Sequence, residues 1–229
     1  MYHRINDGLV SSPLIIPTEK FQEQMAYIKE HCHTIGMEEL CAMAASGAVE
    51  GKQGKPQVVI TIDDGYRDAF QNAFPVLKAL KLPATVFLAT GFVGTDRKMA
   101  RYETIPSPDM LSWEEVAFMQ KNGITFGAHS VSHPHLPALD DQKQKEEITQ
   151  SIEAVYAHTK TKASKEFFCY PYGDYNTTTM RILKELGVKI AFSVRPGVNT
   201  GEENPLELKR VGIDGTCSMD DFISNFRSN

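Results

Sequence analysis

Two adjacent carboxylates, Asp63 and Asp64, close an apolar run in the segment Thr61-Ile62-Asp63-Asp64-Gly65. Two imidazoles, His129 and His133, stand four residues apart in His129-Ser130-Val131-Ser132-His133-Pro134. A third run, Tyr170-Pro171-Tyr172-Gly173, sets two aromatic rings around a proline and beside a glycine, residues that shape a loop. One carboxylate and two imidazoles suffice to hold a zinc-like ion with a coordination position left for water. The spare carboxylate can then deprotonate that water. Together the runs describe a metal-dependent hydrolytic site. Each alone has a plainer reading: Asp-Asp-Gly is common in turns and helix caps, paired histidines occur in ordinary loops, and Tyr170 and Tyr172 can be core aromatics.

The elements that must position these groups follow from periodicity. Residues 58–62 read as a short buried strand, β-branched and apolar. Successive strand residues face opposite sides, so Asp63 and Asp64 converge only if the strand ends there and Gly65 lets the chain turn. The i and i+4 spacing would let His129 and His133 share one face of a helical turn. Residues 66–80 read as a helix with Phe70, Phe74, Leu77 and Leu80 on one face, kinked or restarted at Pro75. Strands follow at 84–89, 124–128, 166–170 and 188–193. Between them lie helices at 112–121, opened by a Ser112/Glu115 capping box, at 141–158, and at 176–186, ended by Gly187. Ser218 opens a last helix to Phe226; at the other end Thr18 caps a helix over 19–31, and 37–46 form another. The segment 92–110 reads as a long loop over the site, with Phe92 and Tyr102 as sugar-stacking candidates. This alternation implies a parallel sheet, open or closed. All three runs lie just after strands, where binding loops gather in such folds.

Composition narrows the rest. The 229 residues suit a single α/β domain, and 41% hydrophobic content is enough for a core. A net charge of -5 without a long basic block argues against nucleic acid as a partner. Cys32, Cys41, Cys169 and Cys217 form no C-x-x-C pair and read as free thiols. No apolar run is long enough to span a membrane, and Met1-Tyr2-His3-Arg4 does not open a signal peptide. The chain as written is therefore expected to be cytoplasmic, or extracytoplasmic if a leader precedes it.

With those residues in place, the chain resembles the polysaccharide deacetylase family, the NodB-homology or carbohydrate esterase 4 domain, over 1–229 as a single domain. Tyr2-His3-Arg4-Ile5 is similar to the end of the family's first strand in the branch acting on poly-β-1,6-N-acetylglucosamine. Thr61 to Gly65 matches the first family motif, His129 to Pro134 the second, and Phe168 to Gly173 part of the third. The resemblance implies a distorted (β/α)7–8 barrel. It implies hydrolysis of N-acetyl groups on an N-acetylhexosamine polysaccharide, giving acetate and a free amine. It also implies a divalent metal on Asp64, His129 and His133, with zinc as the default and nickel, cobalt or iron chemically compatible. Asp63 would be the general base, the Tyr172 backbone N–H an oxyanion donor, and Tyr170 and Pro171 part of the substrate-binding loop.

Two positions depart from the common family pattern. No histidine occupies Val211-Gly212-Ile213-Asp214-Gly215, where the proton donor for the leaving amine is expected. Cys169 stands where the third motif carries an arginine against the base. The donor role then falls to His3 or to Asp63 itself. Arg195 or Arg210 is expected to replace the missing arginine from a neighbouring strand, and both count among the substrate-side residues. The same departures occur in the poly-N-acetylglucosamine branch. His135 reads as a structural or rim residue. The alternatives are a catalytically impaired glycan-binding relative of the same fold, and an Fe(II) oxygenase built on two histidines and a carboxylate. Oxygenase sites of that kind usually ride on antiparallel barrels, which the βα alternation does not suggest.

Overall fold

The structure, a computed structural model, describes residues 1–8, 13–46, 54–99 and 109–226. Five strands form a parallel sheet in the order β5 (Thr61–Ile62), β6 (Ala84–Leu88), β7 (Ile124–Ala128), β8 (Phe167–Cys169) and β9 (Ile190–Phe192). Strand order follows chain order, as expected when each strand is followed by a crossover that packs back on the sheet. Before them lie two parallel pairs, β1 (Arg4–Ile5) with β2 (Ile15–Ile16) and β3 (His33–Thr34) with β4 (Gln57–Val58).

The sheet is curled, and backbone hydrogen bonds join its edges. On one side Tyr2 N donates to Thr61 O and Asp63 N to Tyr2 O, both at 2.9 Å. On the other, Leu208 N donates to Ala191 O at 3.0 Å and Ser193 N to Leu208 O at 2.9 Å. The chain leaving Leu208 then reaches Met1, with Met1 N to Val211 O at 2.8 Å and Ile213 N to Met1 O at 3.0 Å. The sequence expectation of a distorted barrel is thus met by a curled parallel sheet whose gap is bridged by Met1–Tyr2 and 208–213. Strand interiors are buried on both faces, as in Ala84–Leu88 where every residue is buried and all but Thr85 are apolar, because helices cover the outside and packed side chains fill the inside.

The covering helices are α1 (Thr18–His31), α2 (Met37–Ser46), α3 (Phe74–Leu80), α4 (Trp113–Lys121), α5 (Asp141–Thr159), the short α6 (Ala163–Glu166), α7 (Thr177–Glu185) and α8 (Met219–Ser224). Their starts follow local chemistry. Capping boxes open α4 at Ser112/Glu115, α7 at Asn176/Thr179 and α8 at Ser218/Asp221, each satisfying backbone N–H groups that have no partner within the helix. α5 turns Ile148, Ile152 and Val155 inward, each burial contributing about 1.5–3 kcal/mol.

Several expectations shift. The apolar run 58–62 is two short pairings, Val58 with β3 and Thr61–Ile62 with β6, rather than one strand. Thr18 is the first residue of α1 rather than its cap, which is Pro17; the Thr18 N–H donates to Asp7 Oδ1 at 2.7 Å instead. The helix expected over 66–80 opens as a π-helical turn at Ala69–Ala73 and becomes α-helical at Phe74, with Pro75 in the first turn where its missing N–H costs nothing. Of the expected loop 92–110, residues 100–108, Tyr102 among them, lie outside the described residues. Phe92 is buried with Tyr66, Ala89 and Met99, so its ring is not presented for stacking on a sugar. Among the described residues no helix is long and apolar enough to cross a membrane.

Candidate active site

The chain emerges from the C-terminal ends of β5, β7, β8 and β9 into one buried cluster. After β5 the turn begins at Asp64 itself, with φ 77°, and continues at Gly65, with φ 83°. Left-handed backbone at two successive positions breaks the strand alternation and lets Asp63 and Asp64 face the same space. A Cβ on Gly65 would lie 2.8 Å from Leu88 Cδ2, so any side chain there would also have to displace the Leu88 methyl.

After β7, His129 and His133 converge, though not on a helical turn as their spacing suggested. Residues 129–133 contain no helix. Ser130 and His133 instead adopt left-handed φ of 63° and 56°, and the Ser130 hydroxyl accepts from His133 N at 3.0 Å. The result sets His129 Nε2 3.4 Å and His133 Nε2 3.3 Å from Asp64 Oδ1. Those separations match the edge of a tetrahedron with metal–ligand bonds of about 2.0–2.1 Å, which is about 3.3–3.4 Å. His129 Nδ1 lies 2.7 Å from Cys169 O. A backbone acceptor there places the proton on Nδ1 and turns the Nε2 lone pair toward Asp64, the usual arrangement of a metal-binding histidine. Asp64, His129 and His133 therefore fit a divalent ion in donor type, spacing and burial. Burial disfavours the His129 imidazolium, but Cys169, Asp64 and Asp63 beside it favour the charge, and its pKa in the metal-free protein is raised well above that of a free histidine.

Asp63 has a different partner. Arg210 grips it bidentately, Nη1 to Oδ1 at 2.8 Å and Nη2 to Oδ2 at 2.7 Å. The same guanidinium donates from Nε to Ser193 O at 2.8 Å and from Nη2 to Cys169 Sγ at 3.1 Å. The Cys169 thiol in turn donates to Asp63 Oδ2 at 3.4 Å. Burial pushes the Asp63 pKa up, but the charge and hydrogen bonds of Arg210 outweigh it and hold the carboxyl well below the usual range. His3 lies close enough to lower it further. Its strand is anchored by the buried Arg4–Asp68 pair, Nε to Oδ2 at 2.9 Å. Burial pushes the Asp68 pKa up to about 6, an effect that Arg4 only partly offsets. Asp63, His129 and Cys169 are also close enough to share an ion. There, however, the Arg210 cation already bonds two of the three and opposes a second positive charge.

The expected substrate residues divide. Of the two arginines, only Arg210 reaches the cluster, and its guanidinium is taken up by Asp63. Arg195 does not replace the motif arginine at Asp63: its Nη2 donates to Glu207 O at 2.9 Å and its guanidinium lies over Tyr175. Tyr170 is wholly buried, its hydroxyl donating to Leu206 O at 2.8 Å, so it supports the loop from inside the core and does not line an open site. Pro171 is buried too and starts a 3-10 turn. Within that turn Tyr172 takes a left-handed φ of 58° and leaves 40% of its surface exposed. Its ring packs edge-on against His133 at 4.6 Å and stacks on His135 at 3.9 Å. His135 Nδ1 is held by Asp174 Oδ2 at 2.6 Å. Sequence reasoning did not single out Asp174 or Asp68; neither belongs to a spacing that signals its partner.

The curled parallel α/β sheet carries at its C-terminal rim a buried Asp-His-His cluster consistent with a divalent-metal site and, beside it, a second, arginine-held aspartate, the arrangement of a polysaccharide deacetylase. The family model described as polysaccharide deacetylase matches residues 50–191, more than half of the chain, and the chain belongs to that family. It is a polysaccharide deacetylase, a hydrolase acting on amide bonds. It is 27% identical over 210 residues to a poly-β-1,6-N-acetyl-D-glucosamine N-deacetylase of Staphylococcus aureus, covering 86% of this chain and 67% of that protein. Among solved structures it is similar to the Streptococcus pyogenes deacetylase PplD in complex with acetate, with TM-score 0.85 and 23% identity over 99% of this chain and 96% of that one. IcaB from Ammonifex degensii gives TM-score 0.77 and 26% identity over 96% of each chain.

Proposed function

We propose that the chain removes N-acetyl groups from an N-acetylhexosamine polysaccharide, with β-1,6-linked N-acetylglucosamine polymer as the substrate to try first. The observation that carries the reading is the division of labour between adjacent carboxylates. Asp64 faces two imidazole nitrogens, whereas Asp63 faces a guanidinium. Identical side chains thereby acquire separate tasks from their surroundings. The similarity to the Staphylococcus aureus deacetylase supports the choice of glycan.

A divalent ion held by Asp64, His129 and His133 would polarise the acetyl carbonyl and bring the pKa of water down to about 7. Asp63 stays ionised at neutral pH because of Arg210, and its orientation is fixed by two parallel bonds. A carboxylate this acidic is a weak base, so it contributes position and charge and requires a water already made acidic. Asp63 takes the proton from the attacking water, and the proton goes on to the amine nitrogen as the C–N bond breaks, either from Asp63 or through His3. The Tyr172 backbone N–H is the proposed donor to the developing oxyanion; one such donor is commonly worth about 3 kcal/mol. Arg210 fills, from another part of the chain, the position of the arginine absent from the third motif. That substitution weighs against an impaired glycan-binding relative.

The test is acetate release from β-1,6-linked N-acetylglucosamine oligomers by protein stripped with chelator and then reloaded with Zn2+, Co2+ or Ni2+. Metal-restored release supports the reading. Bound metal with no acetate from this or other N-acetylated glycans would overturn it.

A further inference from the structure

The loop that carries His133 makes contacts that the chemistry above does not use. Its carbonyl side is tied to the end of β6, with Thr90 N donating to Ser130 O at 3.0 Å and Gly91 N to Val131 O at 2.9 Å. Its N–H side is tied to one side chain, Glu147 of α5. Glu147 Oε2 accepts from both Val131 N and Ser132 N at 2.8 Å, and Oε1 accepts from the Ser132 hydroxyl at 2.6 Å. Two successive backbone N–H groups turned to one side form a concave site suited to an anion. Bonds from them to a carboxylate are shorter and stronger than neutral ones.

The residues so gripped lie between the two left-handed positions, Ser130 and His133. A non-glycine residue holds that conformation only when its surroundings over-determine it. Were the 130–133 segment to relax, His133 would move relative to Asp64, at the end of β5, and to His129, held at the end of β7 by its bond to Cys169 O. α5 is anchored in the core along Ile148, Ile152 and Val155, so Glu147 is presented from a packed helix.

We propose that Glu147 is a positioning residue for the metal centre: by binding the Val131 and Ser132 N–H groups and the Ser132 hydroxyl, it fixes the loop in which His133 meets Asp64 and His129. The role rests on Asp64, His129 and His133 being the metal ligands. It requires no contact between Glu147 and metal or substrate, and an acceptor with a full negative charge serves it best.

The experiment is a Zn2+ competition titration of the stripped full-length chain against a chromogenic chelator, with the Co2+-loaded visible spectrum as a second readout. Glu147→Gln keeps the shape but loses the charge and one acceptor; Glu147→Ala removes the clamp. Both are expected to weaken Zn2+ binding by roughly 10–100-fold, the usual effect of losing a partner that orients a ligand, and to alter the Co2+ ligand-field bands. Ser132→Ala, which loses one of the three bonds, is expected to fall between them and the wild type. Glu153→Ala, on the exposed side of α5, is expected to bind as the wild type. Circular dichroism establishes that each variant is folded, and Glu147→Gln decides the matter if Glu147→Ala is not. Wild-type Zn2+ affinity and Co2+ spectrum in Glu147→Gln would overturn the role of Glu147 alone. Failure of the wild type to bind any divalent metal would overturn the metal centre itself, and this role with it.

Discussion

Replacing Arg210 by methionine keeps most of the side-chain volume and removes the guanidinium that bonds Asp63 at 2.7 Å. Both partners are buried, with side-chain exposures of 4% and 2%, so water cannot take the place of the guanidinium. Breaking a buried pair from one side costs about 3–5 kcal/mol, because the remaining charge is left uncompensated. The upper part of that range is expected, since Arg210→Met also strips the bonds to Ser193 O and Cys169 Sγ. With a urea slope of about 2–3 kcal/mol/M, a loss of about 4–5 kcal/mol lowers the midpoint by roughly 1.3–2.5 M. The pH dependence gives a sharper check. In the wild type the Asp63 pKa lies below its unfolded value of about 3.9. The pair therefore contributes fully above that value and is lost as pH falls through the folded pKa. In Arg210→Met, burial without a cation raises the Asp63 pKa above the unfolded value. Its penalty is then fully present above the raised pKa and relieved as pH falls through it. Urea titrations of metal-free protein between about pH 7 and pH 4 should show the gap between the two proteins narrowing toward acid. A loss under about 1 kcal/mol at neutral pH, or a gap that does not narrow, would refute the claim that Arg210 holds Asp63 ionised.

Other substitutions separate the two aspartates. Asp63→Asn should retain metal at near wild-type affinity but lose about 10²–10⁴ in turnover, the range for a general base; loss of metal instead would show that Asp63 is a ligand. His129→Ala and His133→Ala should each abolish stoichiometric metal retention after gel filtration, and retained acetate release by either would contradict the ligand assignment. Because the His129 pKa is raised in the metal-free protein, metal addition at about pH 7 should expel protons into a weakly buffered solution, and affinity should fall with acid. Metal uptake with no proton release would mean that His129 is already neutral.

Much of the scaffold is legible in local chemistry. The Ser112/Glu115 capping box, the Gly187 stop, and the inward face Ile148, Ile152 and Val155 each state a helix boundary or face within a few residues. The strand ends that carry Asp63, Asp64, His129 and His133 are equally local, because a β-branched apolar run followed by polar residues and glycine has few alternatives. The motifs could thus be placed on one rim before any contact was known.

Other features were not local. Arg195 and Arg210 look alike in sequence, and only the curl of the sheet decides that Arg210 reaches across to Asp63 while Arg195 turns to Glu207. Tyr170 and Tyr172 sit in one motif, yet one is sealed in the core and the other opens to solvent beside His133, because the turn at Pro171 reverses which side faces the barrel. The spacing of His129 and His133 fitted a helical turn, and the same convergence is reached through two left-handed residues, Ser130 and His133, with Val131 and Ser132 between them bound by Glu147 of α5. Residue types and order along the chain determined that an aspartate pair and a histidine pair would meet at the strand ends. Which aspartate faces the imidazoles, which arginine neutralises the other, and what holds the histidine loop in shape were decided by contacts more than ten residues apart, and such contacts exist only once the sheet has curled and its edges have joined.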